Sequence, residues 1–354
     1  NFGFAESHSL SFALLVYASS WLKLHYPAAF LAALLRAQPM GFYSPASLVA
    51  DARRHGVTVR RPDIHASDAS PVVERVSAAN ESEPPAPTGS DACTSRHQPP
   101  VGAFDPDAPD ASAAHRRDGA FAVRLGLSAV TGVGAPLAAR IVASREAEGR
   151  FRDLRDLVRR TGATEAQVEA LATAGAFESM GISRREGIWL AGDAAQDRTE
   201  FLAGTLVAVQ PPLFGDQSSY DILAADLWAT GVSADDHPLV HYRAPLDARG
   251  VLTSRELRTH EVGRRVQVAG LVTHRQRPST ASGITFLNLE DEHGLVNVVC
   301  SRGVWNRYRR VLRDAPALIA RGLLERSPEG VTNLLADAFE DLRVGVTHRS
   351  RDFR

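Results

Sequence analysis

The stretch Leu127-Ser128-Ala129-Val130-Thr131-Gly132-Val133-Gly134-Ala135-Pro136-Leu137-Ala138-Ala139-Arg140-Ile141-Val142 decides how the chain reads. Two glycines bracket one apolar residue. A short apolar segment precedes them, and a longer one follows whose small Ala138 lets two helices approach closely. This is the helix-hairpin-helix pattern, with every patterned position filled. Its physics suits a phosphate group. Gly132 and Gly134 can take turn conformations closed to other residues, so backbone N–H groups at the start of the following helix can face an anion without reading a base. Gly132, Val133 and Gly134 are therefore the expected contact, with Arg140 and Arg145 on the next helix adding attraction that Glu146 and Glu148 partly offset. A glycine-rich turn between two core helices would share the fold without the phosphate. A second, degenerate hairpin runs from Val168 to Phe177, and its lost second glycine favours a packing role.

Working outward toward the C-terminus, residues 263–343 carry strand-like segments at Arg265–His274, Ile284–Glu290, Leu295–Cys300, Ala317–Glu325 and Asn333–Leu342, with a helix near Trp305–Leu312. Five strands with a helix between the third and fourth describe an OB-fold barrel, whose second and third strands and loops often hold single strands. The run Val266–Gly270 with Phe286–Asp291 also resembles the anticodon-binding barrels of some aminoacyl-tRNA synthetases, so the barrel alone leaves the partner open. Arg275 and Arg277, with Arg302, Arg307 and Arg309 near the helix, can form an electrostatic track; they can equally be ordinary solvated arginines.

Toward the N-terminus, a helix is predicted over Ser9–Lys23 from the face Phe12, Leu15, Val16, Ser19 and Leu22. Its apolar run, Leu10–Leu22, is broken by serines and shorter than the roughly 20 residues a bilayer needs, so it reads as a buried helix and no membrane is expected. Pro27 opens a second helix, and a third runs between Ser44-Pro45 and Gly56. Residues 66–118 change to Ala, Ser, Pro and Asp with few large apolar side chains, and read as a disordered insertion. The 354 residues have room for two or three domains, and 44% hydrophobic content supplies each with a core. A net charge of −1 excludes a uniformly basic coat, so any nucleic-acid contact must be local. Lys23 is the only lysine, a bias that fits a GC-rich genome. Cys93 and Cys300 are too few for a disulfide framework or a four-cysteine zinc site, and a reducing cytoplasm is expected. Asn1 stands where an initiator methionine would, and sequence upstream of it is expected.

The N-terminal segment supplies the discriminating resemblance. Asn1-Phe2-Gly3-Phe4 with Ser7-His8, then Ser11 to Tyr17, Trp21-Leu22-Lys23, His25 and Pro27 to Phe30, is similar to the end of the fingers domain in C-family DNA polymerases, the bacterial replicative alpha subunits. The downstream order agrees: hairpin module, then Thr230-Gly231-Val232-Ser233 with His237-Pro238, then barrel. The variants Gln38–Tyr43, Asp226–Gly231 and Val272–Pro278 most resemble the error-prone DnaE-type branch. The chain thus reads as multidomain α+β: end of the fingers (1–65), a disordered insertion (66–118) that departs from the family pattern, helix-hairpin-helix module (119–190), connector (191–262), five-stranded OB-fold (263–343) and tail (344–354). The resemblance covers everything outside the insertion. It implies a nucleotidyltransferase acting in DNA repair or translesion synthesis, with primer-template and single-stranded DNA as partners.

Further site expectations follow from that resemblance. Ser7, His8 and Lys23 would lie where the fingers hold an incoming nucleotide's phosphates. Gln210, Leu213 and Phe214 match the spacing of peptides that bind the bacterial sliding clamp, a partner expected beside other translesion proteins. Polymerases hold two metal ions on clustered aspartates. Here Asp105, Asp107 and Asp110 stand together only in the proline-rich insertion, and a flexible chain cannot preorganise a metal site. The chain is thus expected to bind no metal or other cofactor and to have no catalytic residue of its own, with Mg²⁺ expected in the full-length polymerase. The alternative is a stand-alone nucleic-acid-binding accessory protein built from the hairpin and barrel.

Overall fold

A serine followed by proline starts a helix at Ser44-Pro45: Ser44 Oγ accepts the Ser47 N–H at 3.1 Å, and proline occupies a first-turn position that has no intrahelical acceptor to lose. Such local signals recur through a computed structural model that describes residues 6–41, 43–76, 112–196, 215, 217–328, 330–345 and 350–353. The helices are α1 (Glu6–His25), α2 (Pro27–Arg36), α3 (Pro45–Arg54), α4 (Ser112–His115), α5 (Gly134–Glu148), α6 (Leu154–Thr161), α7 (Glu165–Thr173), α8 (Arg184–Gln196), α9 (Ser219–Thr230), α10 (Arg243–Asp247), α11 (Ser254–Leu257) and α12 (Arg302–Asp314). The strands are β1 (Val59–Arg60), β2 (Val72–Arg75), β3 (Phe121–Arg124), β4 (Val251–Leu252), β5 (Arg265–Gln276), β6 (Thr285–Glu290), β7 (Leu295–Cys300), β8 (Ala317–Arg326), β9 (Thr332–Asp341) and β10 (Arg351–Phe353). They fall into two units. Among the described residues, the first holds 6–76, 112–196, 215 and 229–234, and the second the remainder.

In the first unit, β3 is the centre of a small sheet, parallel to β1 and antiparallel to β2. Its Val123 joins Ala28, Leu31, Val49, Val57 and Val59 in one core, to which Val232 and Ala234 also belong. A larger core gathers around the hairpin: Ile64, Leu127, Val130, Leu137, Ile141, Phe151, Leu157, Val168, Leu171 and Phe177. Each fully buried side chain of this size is worth about 1.5–3 kcal/mol. Caps fix the short helices between these residues. Asp153 Oδ1 accepts the Asp156 N–H at 2.8 Å to open α6, and Thr164 with Gln167 forms a capping box on α7.

Three expectations are corrected here. The insertion read over 66–118 is narrower, because residues 66–76 and 112–118 are folded into the first unit. β2 pairs with β3, its Glu74 takes Arg124 at 2.6 and 2.8 Å, and Asp118 Oδ2 accepts the Ala28 and Ala29 N–H groups at 2.7 and 3.2 Å. The average composition of a long stretch hid the β-branched pair Val72-Val73 at its edge. Residues 77–111 lie outside the described residues. Second, α1 is not buried: Leu10 is 74% and Tyr17 69% exposed, with Leu14, Leu15 and Val16 close behind. Its apolar residues lie all round the helix rather than along one stripe, and α1 meets the rest of its unit through its last turns, where Lys23 pairs with Asp51 at 2.7 Å and His25 Nδ1 with the His115 carbonyl at 2.8 Å. Third, the tail read from 344 is tied back at 351–353, where β10 runs parallel to β5.

The second unit is the barrel. The long β5 pairs through its first half with β8 and through its second half with β6; the ring closes through β7 and β9, with β7–β9 the parallel pair. This is the expected five-stranded OB order, with α12 between the third and fourth barrel strands. Alternate residues point inward, so Val268, Val272, Leu287, Leu289, Val298, Leu318, Leu324 and Leu334 fill the interior. Gly322 sits where the β8–β9 register shifts, and a Cβ there would run into the Leu335 carbonyl.

Candidate nucleic-acid interface

The hairpin in the first unit opens with a single 3₁₀ turn, Leu127–Ala129, rather than an α-helix. Val130 and Val133 are buried and pin the loop, and the Thr131 N–H donates to the Ala229 carbonyl at 2.7 Å. Gly132 (φ 86°) and Gly134 (φ 66°) both occupy the left-handed region, where a β-branched residue is strained. The Gly132 carbonyl accepts Gln167 Nε2 at 3.3 Å. Among the described residues nothing accepts the N–H groups of Gly132, Gly134 and Ala135, and all three residues are exposed. Val133, expected as a contact, turns its side chain into the core and donates its N–H to the Val130 carbonyl at 3.1 Å, so it adds no donor to this surface. Pro136 supplies no donor, which leaves a small set of N–H groups at the positive end of α5.

The two arginines assigned to this helix differ. Arg140 is exposed, with Nε on the Thr161 carbonyl at 3.0 Å and the rest of its guanidinium available to solvent. Arg145 is half-buried and ties down the carbonyls of Ile64 and Ser67 at 3.1 and 2.8 Å. By helix rise it stands about 16 Å from Gly134. In the degenerate hairpin, Gly175 keeps a positive φ of 75°, but the Arg184 side chain packs against it and bonds the Thr173 carbonyl.

In the barrel the five arginines also divide. Arg275 is buried; its guanidinium donates to the Leu312 and Ala315 carbonyls at 2.7 and 2.6 Å and also reaches Ser350 and Asp352. Burial pulls its pKa below the ordinary arginine value, against the attraction of Asp352. Arg277 is exposed and lies over the Trp305 ring at 5.8 Å. Arg309 stands one turn beyond Trp305 on α12, while Arg307 covers Tyr308 at 5.5 Å and Arg302 lays its stem against Gly283. Two aromatic residues were missed in the sequence. Phe286 points outward from β6 with 38% of its surface exposed, on the strand pair where OB barrels stack bases, and Trp305 anchors the arginine cluster. Strand alternation from the buried Leu287 and Leu289 was the signal that could have singled out Phe286.

Ser7, His8 and Lys23 all lie on α1, yet His8 and Lys23 are about 22 Å apart along it. The structure does not bring them together. His8 stacks edge-on against Phe12 at 4.4 Å, and Lys23 is paired with Asp51. Gln210, Leu213 and Phe214 lie outside the described residues, as do Asp105, Asp107 and Asp110. Among the described residues no group of three or more His, Cys, Asp or Glu is placed to hold a metal ion, and no helix is long and apolar enough to cross a membrane.

Comparison with known proteins bears on both units. Residues 56–187 match a family described as helix-hairpin-helix motif, and residues 266–342 one described as OB-fold nucleic acid binding domain. Error-prone DNA polymerases align with the whole chain: 52% identity for that of Cutibacterium acnes, 48% for Mycobacterium tuberculosis H37Rv and 42% for Corynebacterium jeikeium. The chain spans 31%, 28% and 32% of those relatives' lengths. Among solved structures, asparaginyl-tRNA synthetase from Pyrococcus horikoshii overlaps 27% of this chain and 24% of its own, at 19% identity and a TM-score of 0.23. From end to end, the chain is thus similar at 42–52% identity to about three tenths of the length of error-prone DNA polymerases.

Proposed function

We propose that this chain is the DNA-handling portion of an error-prone DNA polymerase acting in repair or translesion synthesis. The observation that carries the reading is a hairpin whose glycines turn three unaccepted N–H groups to the surface at a helix N-terminus, in a chain similar throughout to error-prone DNA polymerases. Backbone donors of this kind hold phosphates and cannot discriminate base edges, so the hairpin binds DNA without sequence preference. The barrel adds single-strand contacts through Phe286 and the exposed arginines. Nucleotide addition needs Mg²⁺ on clustered carboxylates, and this chain alone does not carry it out. Sliding-clamp and other translesion partners belong to the same proposal.

The test titrates the full chain against fluorescent primer-templates of two unrelated sequences at several salt concentrations. Equal affinities are expected, falling with salt along a shallow slope set by a few phosphate contacts. With nucleotides and Mg²⁺ added, the primer stays unextended. No binding, a strong preference for one sequence, or an extended primer would overturn the reading.

A further inference from the structure

The barrel unit contains a recess of about 500 Å³ between the end of β5, the start of β6, α12 and β10. A volume of that size takes one small ligand rather than a run of polymer. Trp305, Arg309 and Arg313 recur at intervals of four along α12 and line it from one side, across a kink at Tyr308 (φ −105°, ψ 16°); Arg277 lines it from above the Trp305 ring. Of the arginines in its wall, Arg275 is committed to two carbonyls, Ser350 and Asp352. Arg277, Arg309 and Arg313 are exposed, and among the described residues no carboxylate forms an ion pair with them; Asp314 is the remaining carboxylate in the wall. The lining therefore carries a positive excess of about two charges, the complement of a dianion.

A second observation lies in the same wall. Thr285, 1% exposed, borders the recess, and its Oγ1 has no hydrogen-bond partner among the described residues. A buried hydroxyl left unpaired is destabilising, and an acceptor oxygen entering the recess relieves that cost. A flat aromatic surface, three guanidinium groups and an unsatisfied hydroxyl are the components that recognise a nucleotide carrying a terminal phosphate.

We infer that this recess binds a nucleotide 5′-phosphate, with the base against the Trp305–Arg277 platform and the phosphate on Arg309 and Arg313. A phosphate monoester carries the dianionic charge the lining complements, whereas a diester within a strand carries one charge and continues on both sides. The same chemistry is presented by the phosphorylated 5′ end of a DNA strand and by a free nucleoside monophosphate. The inference rests on the reading that the chain handles DNA and deepens it at the barrel.

The experiment compares the full chain with an Arg309→Ala/Arg313→Ala variant, both positions being exposed and outside the barrel core. Each is titrated with a short fluorescent single strand carrying a 5′-phosphate and with the same strand carrying a 5′-hydroxyl. The 5′-phosphate strand is expected to bind the native chain five- to tenfold more tightly, and that difference is expected to vanish in the variant while its thermal midpoint stays unchanged. Deoxynucleoside monophosphate that displaces the 5′-phosphate strand at millimolar concentration assigns the site to free nucleotides as well; failure to displace it, with the preference intact, assigns the site to a strand end. Equal binding of the two strands by the native chain, or a preference that survives in the variant, overturns the inference. Absence of binding to either strand instead removes the wider DNA-handling reading.

Discussion

Arginine does opposite jobs at two positions in the wall of one recess. Arg275 hydrogen-bonds the carbonyls of Leu312 and Ala315 where α12 ends, and its side chain is 9% exposed; Arg309 is exposed and bonded to nothing among the described residues. Removing Arg275 leaves two buried acceptors unpaired, each costing about 1–3 kcal/mol. Arg275→Ala should therefore destabilise the barrel by about 2–4 kcal/mol, whereas Arg309→Ala should stay within about 0.5 kcal/mol of the native chain. Urea denaturation followed by circular dichroism checks both. Equal losses at the two positions would show that the division between structural and solvent-facing arginines is misplaced. Sequence could not make that division, because both arginines flank polar or turn-forming residues and only the closure of β5 against α12 buries one of them.

At the scale of an element, β2 is held by its antiparallel ladder to β3 and by one carboxylate, that of Glu74. Burial pushes the Glu74 carboxyl up, but the hydrogen bonds and charges of Arg124 and Arg60 outweigh it and hold the pKa below the usual 4.5. A group depressed in the folded state contributes stability that is fully present above its unfolded value and is lost as pH falls through the folded one. The contribution of this group to the first unit should thus be fully present and constant between pH 5 and 7, and decline as pH falls below about 4.5. Glu74→Gln should cost about 1–3 kcal/mol at pH 7 and flatten the acid limb, read from urea midpoints at pH 7 and pH 4. An unchanged midpoint at pH 7 would contradict the assignment. The α1 helix makes the complementary point: its helical state was legible, but its exposure was not, since apolar residues on all its sides name no single face to bury.

Across the whole chain, what sequence made legible was local and periodic. Inward alternation placed the barrel strands to within two residues, because Val268, Leu287 and Leu289 must face a core whichever way the strands pair. Gly132 and Gly134 announced the hairpin because their positive φ is a requirement of single residues. What stayed hidden were pairings over long separations: Glu74 with Arg124, β10 beside β5, and the gathering of Arg277, Trp305 and Arg313 around one recess. The central claim, that the hairpin backbone holds DNA phosphates, is tested most directly by replacing both hairpin glycines. Fluorescence anisotropy on two unrelated blunt duplexes with 5′-hydroxyl ends, which keeps terminal phosphates out of the measurement, compares the native chain with Gly132→Val/Gly134→Val. The double variant should lose at least tenfold in affinity for both duplexes, about 1.4 kcal/mol, while retaining most of its far-ultraviolet helical signal. Native affinity in the folded double variant, or a loss confined to one sequence, would contradict the claim.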